Sequence, residues 1–227
     1  MGSIFEAFPS HVLRRFATFL LAPELPAESR PQSSHEFMAL LVFLLLLLIA
    51  KALFVLILYA LAAAGYQLPS NDLGPLDPVA VLAIVLVTPL IEEIGFRSWL
   101  TGRPAVLSLL VTSFLSYSLY RNVEGMVWPV LVLIGGLAIA VAVRNRPRPS
   151  WFAKSFPALF YLSSTAFAGM HLLNQENIVF GPELLLMFPQ LIGGLVYGYS
   201  RVMYGFWSAS ALHMANNGAF LALMVTG

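Results

Sequence analysis

The chain has 227 residues, of which 59% are hydrophobic and only 10% charged, with a mean hydropathy of +0.83. Those values exclude an ordinary soluble domain and place the chain among polytopic membrane proteins. A net charge of +1 gives no overall reason to expect a nucleic-acid partner, and the absence of cysteine removes disulfides, thiolate metal ligands and a cysteine nucleophile.

In chain order, residues 1–36 read as a cytoplasmic tail and not a cleaved leader, because the apolar run FATFLLA is short and the polar PELPAESRPQSS follows it. Within the tail, residues 11–22 set Val12, Leu13, Phe16, Phe19 and Leu20 near one face with Arg14 and Arg15 beside it. That pattern suits an amphipathic helix lying in an anionic interface. Residues 37–227 read as a single transmembrane helical domain. Stretches able to cross ~30 Å of hydrocarbon fall at 37–65, 78–100, 104–119, 127–143, 155–173, 182–200 and 204–225. Asp77-Pro78, Ser155 before Pro157, and Gly181-Pro182 suit helix starts. The expected fold class is all-α, a polytopic bundle of about seven spans plus the N-terminal interfacial helix.

Basic residues set the orientation. With the N-terminus cytoplasmic, the inner side collects Arg14, Arg15, Arg30, Arg97, Arg103, Arg144, Arg146, Arg148, Lys154 and Arg201, and the outer side only Arg121. This predicts an integral protein of the inner or plasma membrane with its C-terminus outside. The outer loops carry Asp72, Asp77, Glu124, Glu176 and Glu183. Trp99, Trp128, Trp151 and Trp207 fall near span ends as interface anchors. Lys51, in mid-span, is expected to snorkel or to pair. Gly135-Gly136 and Gly193-Gly194 favour close helix approach.

The span PVAVLAIVLVTPLIEEIGFRSWL holds Glu92, Glu93 and Arg97. Ionisable groups in hydrocarbon are costly, so three within six residues mark a functional site or a set of partners. Glu93 and Arg97 stand at i,i+4 with the acid first, the better order for an ion pair. Glu92 points about 100° away, lacks that partner, and is the residue left to act as a general base. His171 and His213 also lie inside spans. Asn217 follows His213 at i+4 on one face, with Asn216 at i+3, and Phe167 stands one turn before His171 as an aromatic wall limiting water access.

This set of groups fits hydrolysis. Glu92 would take a proton from water attacking a peptide carbonyl, His213 and Asn217 would stabilise the oxyanion, and His171 would orient water or protonate the leaving amine. The same residues also match a hydrolytic zinc shell, with Glu92, His171 and His213 as ligands. The sequence leaves both arrangements open, a cofactor-free site and one holding Zn2+. A proton- or cation-coupled transporter and a non-enzymatic immunity or scaffold protein are the readings from other classes.

Glu92-Glu93-x-x-x-Arg97, Phe167-x-x-x-His171 and His213-x-x-x-Asn217, in this order and each in an apolar helix, resemble the three motifs of the CPBP family of intramembrane proteases. That family is the CAAX-prenyl-protease and bacteriocin-processing group also called Abi. The resemblance implies endopeptidase activity within the membrane on a membrane-associated or lipidated peptide. It implies Glu92 as base, Glu93 and Arg97 as its support, and His171, His213 and Asn217 completing the site. Relatives place the first histidine on the helix just after the glutamates, whereas 79 positions separate Glu92 from His171 here. Residues 104–143 therefore read as an inserted hairpin of two spans, which preserves the sidedness of everything downstream. Convergence also has to absorb a depth difference. Glu92 and His213 lie about 14 Å from inner ends at Thr101 and Tyr204, and His171 about 21 Å from Pro157, which calls for a tilted or deeper-starting fifth span.

Overall fold

The computed structural model describes residues 2–26, 34–66, 77–123, 125–172, 185 and 187–226. Among them every regular element is helical. The expected start at Gly181-Pro182, together with Arg30, Asp72, Glu124, Glu176 and Glu183, lies outside the described residues.

The helices are α1 (Gly2–Leu21), α2 (Ser34–Ala63), α3 (Pro78–Leu82), α4 (Thr88–Arg97), α5 (Pro104–Asn122), α6 (Val127–Val143), α7 (Ser150–Leu172), α8 (Met187–Met203) and α9 (Phe206–Thr226). A π-helical turn, Ala83–Val87, joins α3 to α4, and a 3-10 turn, Ser98–Thr101, extends α4. Two stretches, His35–Ala63 and Pro78–Thr101, are long and apolar enough to cross a membrane; Val127–Val143 is apolar and shorter.

The caps explain several boundaries. Asp77 Oδ1 accepts from Ala80 N at 2.7 Å, with Pro78 in the first turn where its missing N–H costs nothing. Gly102 ends the 3-10 turn in the left-handed region (φ 65°), and a Cβ there would collide with the Phe152 ring. The seventh helix in chain order departs from expectation. It starts at Ser150, not Ser155, and runs through Pro157. Phe152, Phe156 and Phe160 recur at every fourth position and are fully buried, so packing along one face carries the helix past the proline.

The core is an aromatic cluster. Phe16 and Phe19 of α1, Phe43 of α2, Phe160 of α7 and Tyr199 of α8 meet edge to face at centroid distances of 5.0 to 5.5 Å. The α1 face expected to rest on lipid, Val12, Phe16 and Phe19, is therefore buried against protein. Three large apolar groups on one stripe match the groove between α2, α7 and α8, where they gain ring contacts that an interface cannot offer. Tyr161 Oη donates to the Leu20 carbonyl, and Ser208 Oγ to the buried Glu36 Oε1, tying α1 to α7 and α2 to α9.

α8 is the central helix. A Cβ on Gly194 would lie 2.9 Å from the Ser164 carbonyl oxygen, and one on Gly198 2.9 Å from Phe160 Cε2, so glycines four apart admit α7 to close contact. α5 and α6 pack on each other as a hairpin, with Gly136 against Thr112 and Ser116 Oγ donating to the Pro129 carbonyl at 2.9 Å. Lys51 Nζ lies 4.3 Å from the centre of the Phe220 ring, a cation–π contact between α2 and α9.

Candidate active site

The π-helical turn presents the acidic pair. Thr88 N–H reaches back to the Ala83 carbonyl, so in the same register the Ile84 carbonyl would pair with residue 89, a proline without an N–H. Asn217 Nδ2 donates to that Ile84 carbonyl at 3.2 Å. The asparagine expected beside Glu92 thus holds the backbone just upstream of it. α4 then carries Glu92 and Glu93 in its middle. Its C-terminal carbonyls are held by two arginines: Arg201 donates to those of Arg97 and Ser98, each at 3.1 Å, and Arg148 to that of Thr101 at 2.8 Å. Positive charge at that end complements the helix dipole.

Glu93 and Arg97 are fully buried, with Arg97 Nη1 at 3.0 Å from Glu93 Oε1. Arg97 also lies 3.8 Å over the Phe167 ring. Glu93 is more than a partner for Arg97, because the same Oε1 lies 3.0 Å from His213 Nδ1. A carboxylate only accepts, so the imidazole donates from Nδ1 and turns Nε2 the other way. Nε2 then lies 3.5 Å from Glu92 Oε2.

His171 repeats the arrangement from the opposite side. Its Nδ1 is 2.9 Å from the Phe167 carbonyl oxygen, which fixes the proton there, and its Nε2 lies 3.9 Å from Glu92 Oε1. Two imidazole lone pairs therefore face the two oxygens of one carboxylate. The side chains of Glu92 and His171 keep 21% and 27% exposure against 4% for His213, so the opening is on the Glu92–His171 side. Phe167 sits between these groups, its ring 4.8 Å from that of His171 and 5.7 Å from that of His213.

The depth difference is absorbed by inclination. Ser163 Oγ donates to the Phe96 carbonyl, and His171 meets Glu92. Between these points α7 advances about 12 Å while α4 covers about 6 Å, a difference close to that expected from the sequence.

One residue of the cluster, Tyr197, is not singled out by the sequence, which names Asn216 as able to substitute for or assist Asn217. Tyr197 of α8 stacks on His213 at 4.2 Å and 17°, and Asn216 Nδ2 donates to its hydroxyl at 2.6 Å. An aromatic residue in an apolar span carries no sign of its partner. The flanking glycines, Gly193 and Gly198, are the one local hint of a crowded surface.

As for zinc, among the described residues no group of three or more His, Asp or Glu side chains is disposed to hold a metal ion.

No curated protein and no solved structure matches this chain. The family model for type II CAAX prenyl endopeptidases, Rce1-like, matches residues 74–219, which hold every residue of the cluster described above. That span is well over half of the sequence, and the match favours a protease over a transporter or scaffold. The chain therefore belongs to the Rce1-like family of type II CAAX prenyl endopeptidases, integral membrane proteases of the CAAX type.

Proposed function

We propose that the protein is a glutamate-dependent intramembrane endopeptidase that hydrolyses a peptide bond of a membrane-associated, prenylated substrate, with Glu92 as the general base. One observation carries the proposal: both histidines turn Nε2 toward Glu92 because each Nδ1 is held elsewhere, by Glu93 and by the Phe167 carbonyl. At 3.9 Å, Glu92 Oε1 and His171 Nε2 are too far apart for a direct hydrogen bond and suitably spaced for one water. That water donates a proton to each acceptor and keeps its lone pairs for the substrate carbonyl.

As the water attacks, its proton passes to Glu92 and the C–N bond later breaks as Glu92 returns that proton to the leaving amine. The proton stays on Oε1, beside the leaving amine, while His213 Nε2 faces the other oxygen, Oε2, at 3.5 Å. This revises the part expected of His213: with Nδ1–H committed to Glu93, the neutral ring offers a lone pair on Nε2 and no donor for an oxyanion. The oxyanion falls to the second N–H of Asn217, whose first is donated to Ile84. Glu93, Arg97 and Phe167 act as supports that fix the two rings. No cofactor enters the scheme.

The segments α2, Pro78–Thr101, α5, α6, α7, α8 and α9 are taken as seven spans with the N-terminus cytoplasmic, in keeping with the distribution of arginine and lysine. Residues 104–143 are taken as a hairpin inserted between the glutamate helix and the first histidine helix. The test is cleavage, by purified protein in detergent, of a farnesylated, internally quenched peptide ending in a C-a-a-X sequence. The unprenylated peptide serves as comparison. Cleavage of the farnesylated peptide alone supports the proposed substrate class, and equal cleavage of both removes prenylation from the account.

A further inference from the structure

We propose that Tyr197 and Asn216 together form a positioning device for His213; the inference rests on the reading of the site given above. His213 is held within its ring plane by the 3.0 Å contact of Nδ1 with Glu93 Oε1. That contact alone leaves the ring free to swing about it, and a swing moves Nε2 away from Glu92. Tyr197 fixes the remaining direction. Its ring lies almost parallel to the imidazole, 17° apart at 4.2 Å, while Phe167 stands edge-on at 5.7 Å and 81°. The imidazole is thus bounded by a face, an edge and a hydrogen bond.

Tyr197 is itself fixed from two sides. A Cβ on Gly193, one turn earlier, would come 3.2 Å from Tyr197 Cε2, so the glycine makes the space in which the ring lies. At the other end Asn216 Nδ2 donates to the hydroxyl at 2.6 Å, and both residues are nearly inaccessible, at 2% and 3% exposure. Asn216 is three residues after His213 on α9, so the loop from imidazole to tyrosine to asparagine closes on the helix that carries the imidazole. Asn216 Oδ1 is buried with no hydrogen-bond partner among the described residues.

The test uses the full-length protein in detergent with the farnesylated, quenched peptide, comparing Tyr197→Phe, Tyr197→Leu, Asn216→Ala and the double variant Tyr197→Leu/Asn216→Ala. Tyr197→Leu is expected to lower kcat about 30-fold with KM changed less than about 3-fold, and Tyr197→Phe to restore kcat to within about 5-fold of wild type. Asn216→Ala is expected to lower kcat about 5-fold alone and not at all in the Leu background, since both act through one ring. A Tyr197→Leu kcat near wild type, a KM rise matching the kcat loss, or multiplicative losses would overturn the device.

A second readout needs no substrate. The ring protons of His213 should show an upfield ring-current shift by NMR that is kept in Tyr197→Phe, reduced in Asn216→Ala and lost in Tyr197→Leu. An unchanged shift in all three overturns the inference. If Tyr197→Leu does not fold, the Phe and Asn216→Ala variants decide by the same two readouts. Glu92→Gln separates the levels: activity retained there defeats the general-base reading, whereas an inactive Glu92→Gln beside a fully active Tyr197→Leu defeats only the positioning device.

Discussion

Replacing Arg97 by methionine isolates the energetics of the buried pair. Both partners are fully buried, and Glu93 would be left as a carboxylate with only His213 Nδ1 against it. Breaking a buried pair costs about 3–5 kcal/mol. Arg97 makes one hydrogen bond, to Glu93, while its Nε and Nη2 have no partner among the described residues, so the lower end, about 3 kcal/mol, applies. Loss of the guanidinium from above Phe167, at 3.8 Å, adds about 1–2 kcal/mol. At about 2–4 °C per kcal/mol for a chain of this size, Arg97→Met should lower Tm by roughly 8–20 °C. The assay is intrinsic tryptophan fluorescence on heating in detergent; thiol-reactive dyes have no target in a chain without cysteine. The double variant Glu93→Leu/Arg97→Met removes both charges and should regain at least half of that loss, since apolar replacements of buried pairs are often neutral. It should stay inactive, because His213 Nδ1 then lacks its acceptor. A single variant melting within about 2 °C of wild type would refute the buried-charge argument.

Three further expectations follow from other contacts. Asn217→Ala leaves the Ile84 carbonyl without its donor and should cost about 1–3 kcal/mol, read as a lowered Tm, and also depress kcat; wild-type values of both would remove Asn217 from the account. Gly194→Ala sets a methyl 2.9 Å from the Ser164 carbonyl oxygen, so α7 and α8 must part. We expect a loss of about 1–3 kcal/mol in stability and a fall in activity, as His171 moves with α7; an unchanged Tm and kcat would show that the helices yield freely. Exhaustive chelation should leave proteolysis within about twofold of untreated enzyme, and rescue of a chelated, inactive sample by zinc would replace the water-only scheme with a metal-assisted one.

The sequence made the helices legible because the apolar runs are set off from one another and several starts carry a proline, as at Pro78, Pro89 and Pro104. It also exposed the Glu93–Arg97 pair, a contact within one helix fixed by i,i+4 geometry. Contacts between helices were harder to foresee. Asn216 and Asn217 are adjacent, 100° apart in phase, and only the packing of α9 decides that one turns to Tyr197 and the other to Ile84. The π-helical turn that creates the Ile84 acceptor follows from Pro89 together with the register of α3, which pattern alone does not fix. Glu93 looked quiet because its second partner, His213, is 120 positions away. α1 read as a lipid-facing helix because a stripe of Phe16 and Phe19 suits a bilayer surface as well as a protein groove, and only the tertiary fold supplies the groove.

The central claim is that Glu92 activates water, and kcat for Glu92→Gln tests it most directly. Glutamine keeps the size and one hydrogen-bonding oxygen while removing the proton acceptor. The account predicts a loss of at least about 10³-fold in cleavage of the farnesylated peptide with Tm unchanged, since Glu92 is partly exposed and carries no structural ion pair to Arg97. A Glu92→Gln enzyme that cleaves at more than about a tenth of the wild-type rate would contradict it.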